Sequence, residues 1–94
     1  MTTAVQDTLD LDAQWALHPQ VALRPESFGA LLYHFGTRKL SFLKNRTIVA
    51  IIESLPDYPD MRSAIAAAGI PESGMTPYTK AFATLADSRM ITKI

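Results

Sequence analysis

The 94-residue chain contains no cysteine. This excludes disulfides, thiol nucleophiles and thiolate metal sites, and it favours the reducing cytoplasm as the location. The chain also lacks an excess of either charge, since nine Lys and Arg balance nine Asp and Glu. No net field therefore draws it to nucleic acid or to an anionic membrane. No apolar run, such as residues 48–52, approaches the roughly 20 residues that cross a bilayer.

The first 14 residues are acidic and weakly patterned. Asp7, Asp10 and Asp12 lie among them without an early Lys or Arg, so the sequence predicts a flexible acidic tail and no secretory signal. The remaining residues, 15–94, are predicted to form one domain with one hydrophobic core, because a chain of this length has room for little more.

A β-hairpin is predicted over residues 29–43. A short strand over residues 21–24 and a turn at 25–27 lead into it. If Gly36 and Thr37 form a two-residue type II′ turn, Tyr33 pairs with Leu40, and the rest of the register follows.

This register divides the hairpin into two faces with different composition. The drier face collects Leu31, Tyr33, Leu40 and Phe42. The mixed face collects Ala30, Leu32, His34, Lys39, Ser41 and Leu43. A one-residue slip would destroy this division, which supports the register. We expect the three helices to cover the drier face, which is a two-layer solution for a chain of this size.

Three helices are predicted after the hairpin. Asn45 suits an N-cap of the first, and either Asp57 or Asp60 can cap the second, which Gly69 ends. Thr76 is the expected N-cap of the third helix, and residues 90–94 alternate like a short strand. The order predicts an α+β fold with a three-stranded antiparallel sheet followed by three helices, in which the last two resemble a winged helix-turn-helix.

No catalytic, cofactor or metal site is predicted. His18 and His34 are the only imidazoles and do not have the spacing of a metal-binding pair. Ser41 and His34 share a sheet face, but no carboxylate is placed to orient them as a nucleophile and its base. The four glycines are scattered and form no phosphate-binding loop. The sequence therefore predicts a protein that is not an enzyme.

The helix-turn-helix pattern leaves a winged-helix DNA-binding regulator as an alternative. The third helix would be the recognition helix, but its exposed face offers little more than Lys80 beside Asp87. That is few cations for a duplex with one charge every ~1.7 Å. A small structural protein that pairs only with its own copy is a further alternative.

A basic cluster surrounds the last strand of the hairpin and comprises Arg38, Lys39, Lys44 and Arg46. One interpretation is that these cations keep an outer strand from aggregating through its edge. The other is that residues 39–44 form a docking edge, where an extended peptide adds as a further strand. The cations would then favour a peptide that carries Asp or Glu.

The segment LRPESFGALLYH, residues 23–34, followed by RKLSFL, residues 38–43, resembles the small peptide chaperones of the mycofactocin biosynthetic system. That family is a PqqD-like branch of the precursor-peptide recognition elements, and the similarity extends from Trp15 to the C-terminus, weakening after Leu55. The resemblance implies a winged-helix-like fold and a role without catalysis or cofactor.

The same resemblance implies two partners. The chaperone would bind the leader region of a ribosomally made precursor peptide and present it to a radical S-adenosylmethionine maturase. In this family the peptide pairs with the third strand and lies against the third helix. Carried to this sequence, the strand and basic positions are Arg38, Lys39, Leu40, Ser41, Phe42, Leu43, Lys44 and Arg46. The helix positions lie near Tyr78, Lys80, Ala81, Phe82 and Leu85. The oligomeric state stays open.

Overall fold

The structure, a computed structural model, describes residues 9–94. Two short 3₁₀ turns, Leu55–Asp57 and Glu72–Gly74, separate the helices. The strands are β1 (Trp15–Leu17), β2 (Val21–Glu26), β3 (Gly29–His34), β4 (Leu40–Leu43) and β5 (Ile91–Lys93), and the helices are α1 (Arg46–Ser54), α2 (Met61–Ala67) and α3 (Thr76–Asp87). The predicted α+β, winged-helix-like fold is confirmed, because the antiparallel sheet β2-β3-β4 precedes all three helices.

The helix boundaries follow local capping chemistry. The Asn45 side chain accepts hydrogen bonds from the backbone N–H groups of Thr47 and Ile48, at 2.8 and 3.1 Å. Asp60 accepts from the Ser63 backbone N–H at 2.7 Å. The hydrogen bonds from Ser63, first of its side chain and then of its backbone, lower the pKa of Asp60 from its ordinary value. Gly69 has a φ of 88°, the left-handed conformation that ends α2.

The N-cap prediction for α3 was wrong by one residue. Thr76 is the first residue of the helix, and Met75 occupies the N-cap position without a side-chain hydrogen bond. Pro77, the second residue of the helix, suits this first turn because its φ is fixed and its missing N–H has no helical partner to lose.

The hairpin register is confirmed, but the predicted turn is not. Tyr33 pairs with Leu40, as expected. The loop spans four residues, 35–38, and its left-handed residue is Arg38, with a φ of 64°. Gly36 does not have the positive φ that a type II′ turn requires at its first central position.

The prediction of which sheet face is buried was also wrong. Leu32 is fully buried and His34 is 2% exposed, whereas Leu40 and Phe42 are 53% and 60% exposed. The helices therefore cover the face that the sequence marked as mixed. The largest fully buried side chains lie between that face and the helices and strand β5: Leu32, Ile51, Ile52, Leu55, Met61, Ile65, Phe82, Met90 and Ile91.

His34 is buried because it organises the hairpin loop. Its Nδ1 accepts hydrogen bonds from the backbone N–H groups of Gly36 and Thr37, at 3.0 and 3.1 Å. Two donors directed at Nδ1 require that nitrogen to be unprotonated. The His18 ring lies beside it, with the ring centroids 4.6 Å apart. Loop amides thus replace water at Nδ1 of this core residue, whereas its buried Nε2 has no hydrogen-bond partner among the described residues.

Strand β2 is longer than predicted and includes Pro25. The sequence placed a turn at residues 25–27, whereas Pro25 pairs with Ala30 inside the ladder. The strand tolerates this proline because β2 is an edge of the sheet, where a missing N–H can face outward.

The described part of the predicted tail, residues 9–14, packs on the domain. Leu9 is only 8% exposed, the Trp15 indole N–H donates to the Asp10 carbonyl at 2.8 Å, and the Met61 N–H donates to the Ala13 carbonyl at 3.0 Å. Residues 1–8 of the predicted flexible tail lie outside the described residues. Beyond this segment, β1 pairs antiparallel with β5, so the two ends of the domain close on each other.

Candidate functional site

Strand β4 lies at one edge of the three-stranded sheet. The strand order is β2-β3-β4, so β4 pairs with β3 on one side only. Within residues 9–94, no strand pairs with its other side. An edge strand of this kind presents backbone groups that can accept a further strand.

The register shows which backbone groups face outward. The His34 N–H donates to the Lys39 carbonyl at 3.0 Å, which makes His34 and Lys39 a hydrogen-bonded pair. Such pairs alternate along an antiparallel ladder. Ser41 and Leu43 therefore direct their N–H and C=O groups toward β3. Leu40 and Phe42 direct theirs toward the open edge.

The opposite edge of the sheet, at β2, is much less suited to accept a strand. By the same alternation, Val21, Leu23 and Pro25 face outward there. The Val21 N–H already donates to the His18 carbonyl at 2.9 Å, and Pro25 has no N–H. Only one of these three positions has an available donor, so β4 is the better docking edge.

A cleft of about 340 Å³ runs beside β4 and separates the strand from helix α3. Its floor and walls come from the strand, from one residue of α1 and from one side of α3: Ser41, Phe42, Leu43, Lys44, Ile48, Ala81, Thr84 and Leu85. A peptide that paired with the β4 edge would have room here for the side chains that it turns toward the helix.

The structure brings only part of the predicted helix surface to this cleft. Leu85 lines it. Phe82 is fully buried in the core and presents no surface to a ligand, and Tyr78 is half-buried against the same core. Lys80 is exposed but does not line the cleft. The helical periodicity explains this, because Ala81, Thr84 and Leu85 share one face.

The basic residues occupy different positions around the strand. Arg38 and Lys39 are exposed where the hairpin loop enters β4, and Lys44 lines the cleft. The Arg46 guanidinium donates to the Ser27 carbonyl at 2.9 Å, so it ties the start of α1 to the β2–β3 turn. Three of the four cations are thus close to the open edge, and the fourth has a structural contact.

Sequence reasoning missed two residues that line the cleft. Ile48 packs against the core from α1, is half-buried and also lines the cleft. Thr84 is an exposed residue on α3 whose hydroxyl donates to the Lys80 carbonyl at 3.1 Å. Its spacing from Ala81 and Leu85 is the one signal that could have marked it as part of the same helix face.

Two negative observations apply to the described residues, 9–94. These residues contain no group of three His, Asp or Glu side chains that could hold a metal ion. None of the helices described there combines the length and apolar character needed to cross a membrane.

The fold and the site define a small α+β binding module that offers an open strand edge with a cleft alongside. Residues 14–92 match the Peptide chaperone MftB family, and the chain belongs to that family. The name describes a peptide chaperone, which is a non-catalytic role.

Curated relatives agree with this assignment. The Peptide chaperone MftB of Mycolicibacterium smegmatis is 59% identical over 88 residues, which cover 94% of this chain and 86% of the relative. The proteins of the same name from Mycobacterium tuberculosis and Mycobacterium ulcerans are 62% and 63% identical over 82 residues, and in the former these cover 87% of this chain and 75% of the relative. No solved structure matches the chain significantly.

Proposed function

We propose that this chain binds the leader region of a ribosomally made precursor peptide and presents it to a radical S-adenosylmethionine maturase in mycofactocin biosynthesis. The binding takes place in the cytoplasm, and the chain contributes no catalytic group. The observation that carries the proposal is the open edge of β4 beside the cleft to α3.

The edge supplies the affinity of this complex through the backbone. An extended peptide antiparallel or parallel to β4 would pair with the outward N–H and C=O groups of Leu40 and Phe42. The side chains on one side of the peptide would enter the cleft, where Leu43 and Leu85 are apolar and Lys44 is cationic. Backbone pairing does not depend on the side chains of the peptide, whereas the cleft selects among the side chains that enter it.

Charge adds a preference for acidic peptides. Arg38 and Lys39 are exposed at one end of β4, and Lys44 is at the other. A peptide that carries Asp or Glu near either end would be attracted before it docks, which raises the association rate. Holding the peptide on a protein that also binds the maturase raises the local concentration of substrate at the enzyme.

The test is calorimetric titration of the chain with the precursor peptide encoded beside its gene, using Leu40→Pro as the edge variant. Proline at this position removes one outward N–H, and the first residue of an edge strand tolerates it. Leu40→Ala is the matched control, because it removes the same side chain but keeps the N–H. We expect Leu40→Pro to bind about fivefold more weakly than Leu40→Ala, the value of roughly one net hydrogen bond.

Equal affinities of the two folded variants would rule out backbone pairing at Leu40. Absence of any binding by the unaltered chain would reject the proposed function itself. Circular dichroism of both variants establishes that each has kept its fold.

A further inference from the structure

The outward side of the three-stranded sheet is an exposed aromatic surface. Phe28, Phe35, Leu40 and Phe42 are 40%, 61%, 53% and 60% exposed, and they are four of the five large apolar residues exposed in the described chain. We call this surface the outer aromatic face, and it comprises Phe28, Leu31, Tyr33, Phe35, Leu40 and Phe42. Contiguous apolar surface of this kind on a small protein marks a site of interaction.

The rings of this face are already arranged against each other. Phe28 and Phe42 have centroids 6.1 Å apart, and Tyr33 meets Phe35 edge to face at 5.0 Å. Aromatic side chains have few rotatable bonds, so little conformational entropy is lost when a partner covers them. Aromatic residues and arginine are also the residues that most often dominate binding energy.

The charges around the face select the kind of partner. Arg24 lies on this same face as the cross-strand neighbour of Leu31, and its side chain is 76% exposed. Arg38 and Lys39 lie at the end of the face that is formed by the hairpin loop. Glu26 is the nearest acid of β2, and it pairs with Arg24 at 3.2 Å. A second copy stacked face to face would bring cations against cations. The surface instead fits a folded protein whose apolar patch is edged with carboxylates.

The face also adjoins the proposed peptide site. Leu40 and Phe42 turn their side chains onto the face and their backbone groups toward the open edge of β4. A protein seated on the face would therefore border a peptide held at the edge, and Phe42, which also lines the cleft, would lie where the two partners meet.

We propose that the outer aromatic face is the docking surface for the maturase, a separate surface from the edge that holds the peptide. This inference rests on the proposed function, because it assigns a surface to the second partner named there. Its consequence is that the two partners bind at the same time, which presentation of the peptide requires.

The test replaces Phe35 by Glu. This side chain is 61% exposed and lies in the loop, so the sheet does not depend on it. The matched control is Ile94→Glu, which places the same charge at the fifth exposed apolar residue, 72% exposed and outside the face. Binding of each variant is titrated separately with the purified maturase and with the precursor peptide. If Phe35→Glu does not fold, Phe28→Glu takes its place.

We expect Phe35→Glu to bind the maturase at least about tenfold more weakly, as for loss of an aromatic anchor at an interface. Its peptide affinity, titrated at high salt where the added charge is screened, should be unchanged, and Ile94→Glu should bind both partners normally. Three results would overturn the inference. Phe35→Glu could leave the maturase affinity intact, or it could lower the peptide affinity as much as the maturase affinity. Sedimentation could also show that the unaltered chain is a dimer and that Phe35→Glu dissociates it. Failure of the unaltered chain to bind peptide would instead reject the proposed function.

Discussion

Leu40 and Phe42 connect the two proposed surfaces at the scale of single residues. Each turns its side chain to the outer aromatic face, while its N–H and C=O groups point along the sheet toward the open edge. The two directions are perpendicular, because side chains stand off the sheet and hydrogen bonds lie within it. Substitutions at these positions affect both surfaces unless the backbone and the side chain are changed separately.

Charge reversal at Arg38 tests the electrostatic part of peptide capture. We expect Arg38→Glu to slow association with an acidic precursor peptide at low salt, because the cation at the end of β4 no longer attracts it. Stopped-flow measurement of the association rate over a series of salt concentrations gives the answer.

Arg89→Glu is the matched control for that experiment. Arg89 is exposed, does not line the cleft, and has a φ of 63° against 64° for Arg38. Both variants therefore change the charge equally at a left-handed position. An association rate that is the same for the two variants at low salt would contradict a steering role for Arg38.

The sequence predicted the hairpin register but not which face it buries. Alternation separates the residues into two sets, and a one-residue slip would mix them, so Tyr33 opposite Leu40 could be predicted. The drier set was assigned to the core because burial of apolar area stabilises the fold. That rule selected the wrong face, because Leu40 and Phe42 stay exposed although they are apolar. His34 is buried on the other face, where its Nδ1 accepts hydrogen bonds from two loop amides.

At the scale of secondary-structure elements, the space between strand β4 and helix α3 gives the site its shape. The side of α3 toward the strand carries the small residues Ala81 and Thr84 ahead of Leu85. Larger residues there would close the space between helix and strand. The cleft thus depends on side-chain size along one helix face.

Filling the cleft from the helix should block the peptide. Thr84→Trp places a large ring where Thr84 now lines the cleft, and we expect peptide affinity to fall at least about tenfold in a calorimetric titration, as for a lost anchor contact. Lys80→Trp is the control, since Lys80 lies on the same helix outside the cleft. If both variants lost affinity equally, or neither did, the peptide would not occupy this cleft.

The caps of α1 and α2 could be predicted from local chemistry, whereas strand β1 and the packing of α3 depend on distant contacts and could not. Asn45 could be assigned as a cap, and Asp60 as one of two candidates with Asp57, because each of the two observed caps bonds an amide two or three residues ahead. Strand β1 was missed because its partner, β5, lies more than 70 residues away, as in the pairing of Trp15 with Lys93. The helix part of the site shared this difficulty, since the position of Phe82 in the core depends on how α3 packs.

For the whole molecule, the sheet divides three functions among its inner face, its edge and its outer face. The inner face carries the core and is covered by the helices. The edge at β4 is proposed to hold the peptide, and the outer aromatic face is proposed to dock the maturase. Neither proposed surface contributes a fully buried side chain of the core, so both can be covered without opening it.

The most direct test of this arrangement is amide hydrogen exchange of β4, measured by NMR with and without the precursor peptide. We predict that the Leu40 and Phe42 amides exchange rapidly in the free chain and become protected when peptide saturates it. The Ser41 and Leu43 amides should be protected in both states, because they already bond to β3. Leu40 and Phe42 amides that stay unprotected in the complex, or that are protected before peptide is added, would contradict peptide capture at this edge.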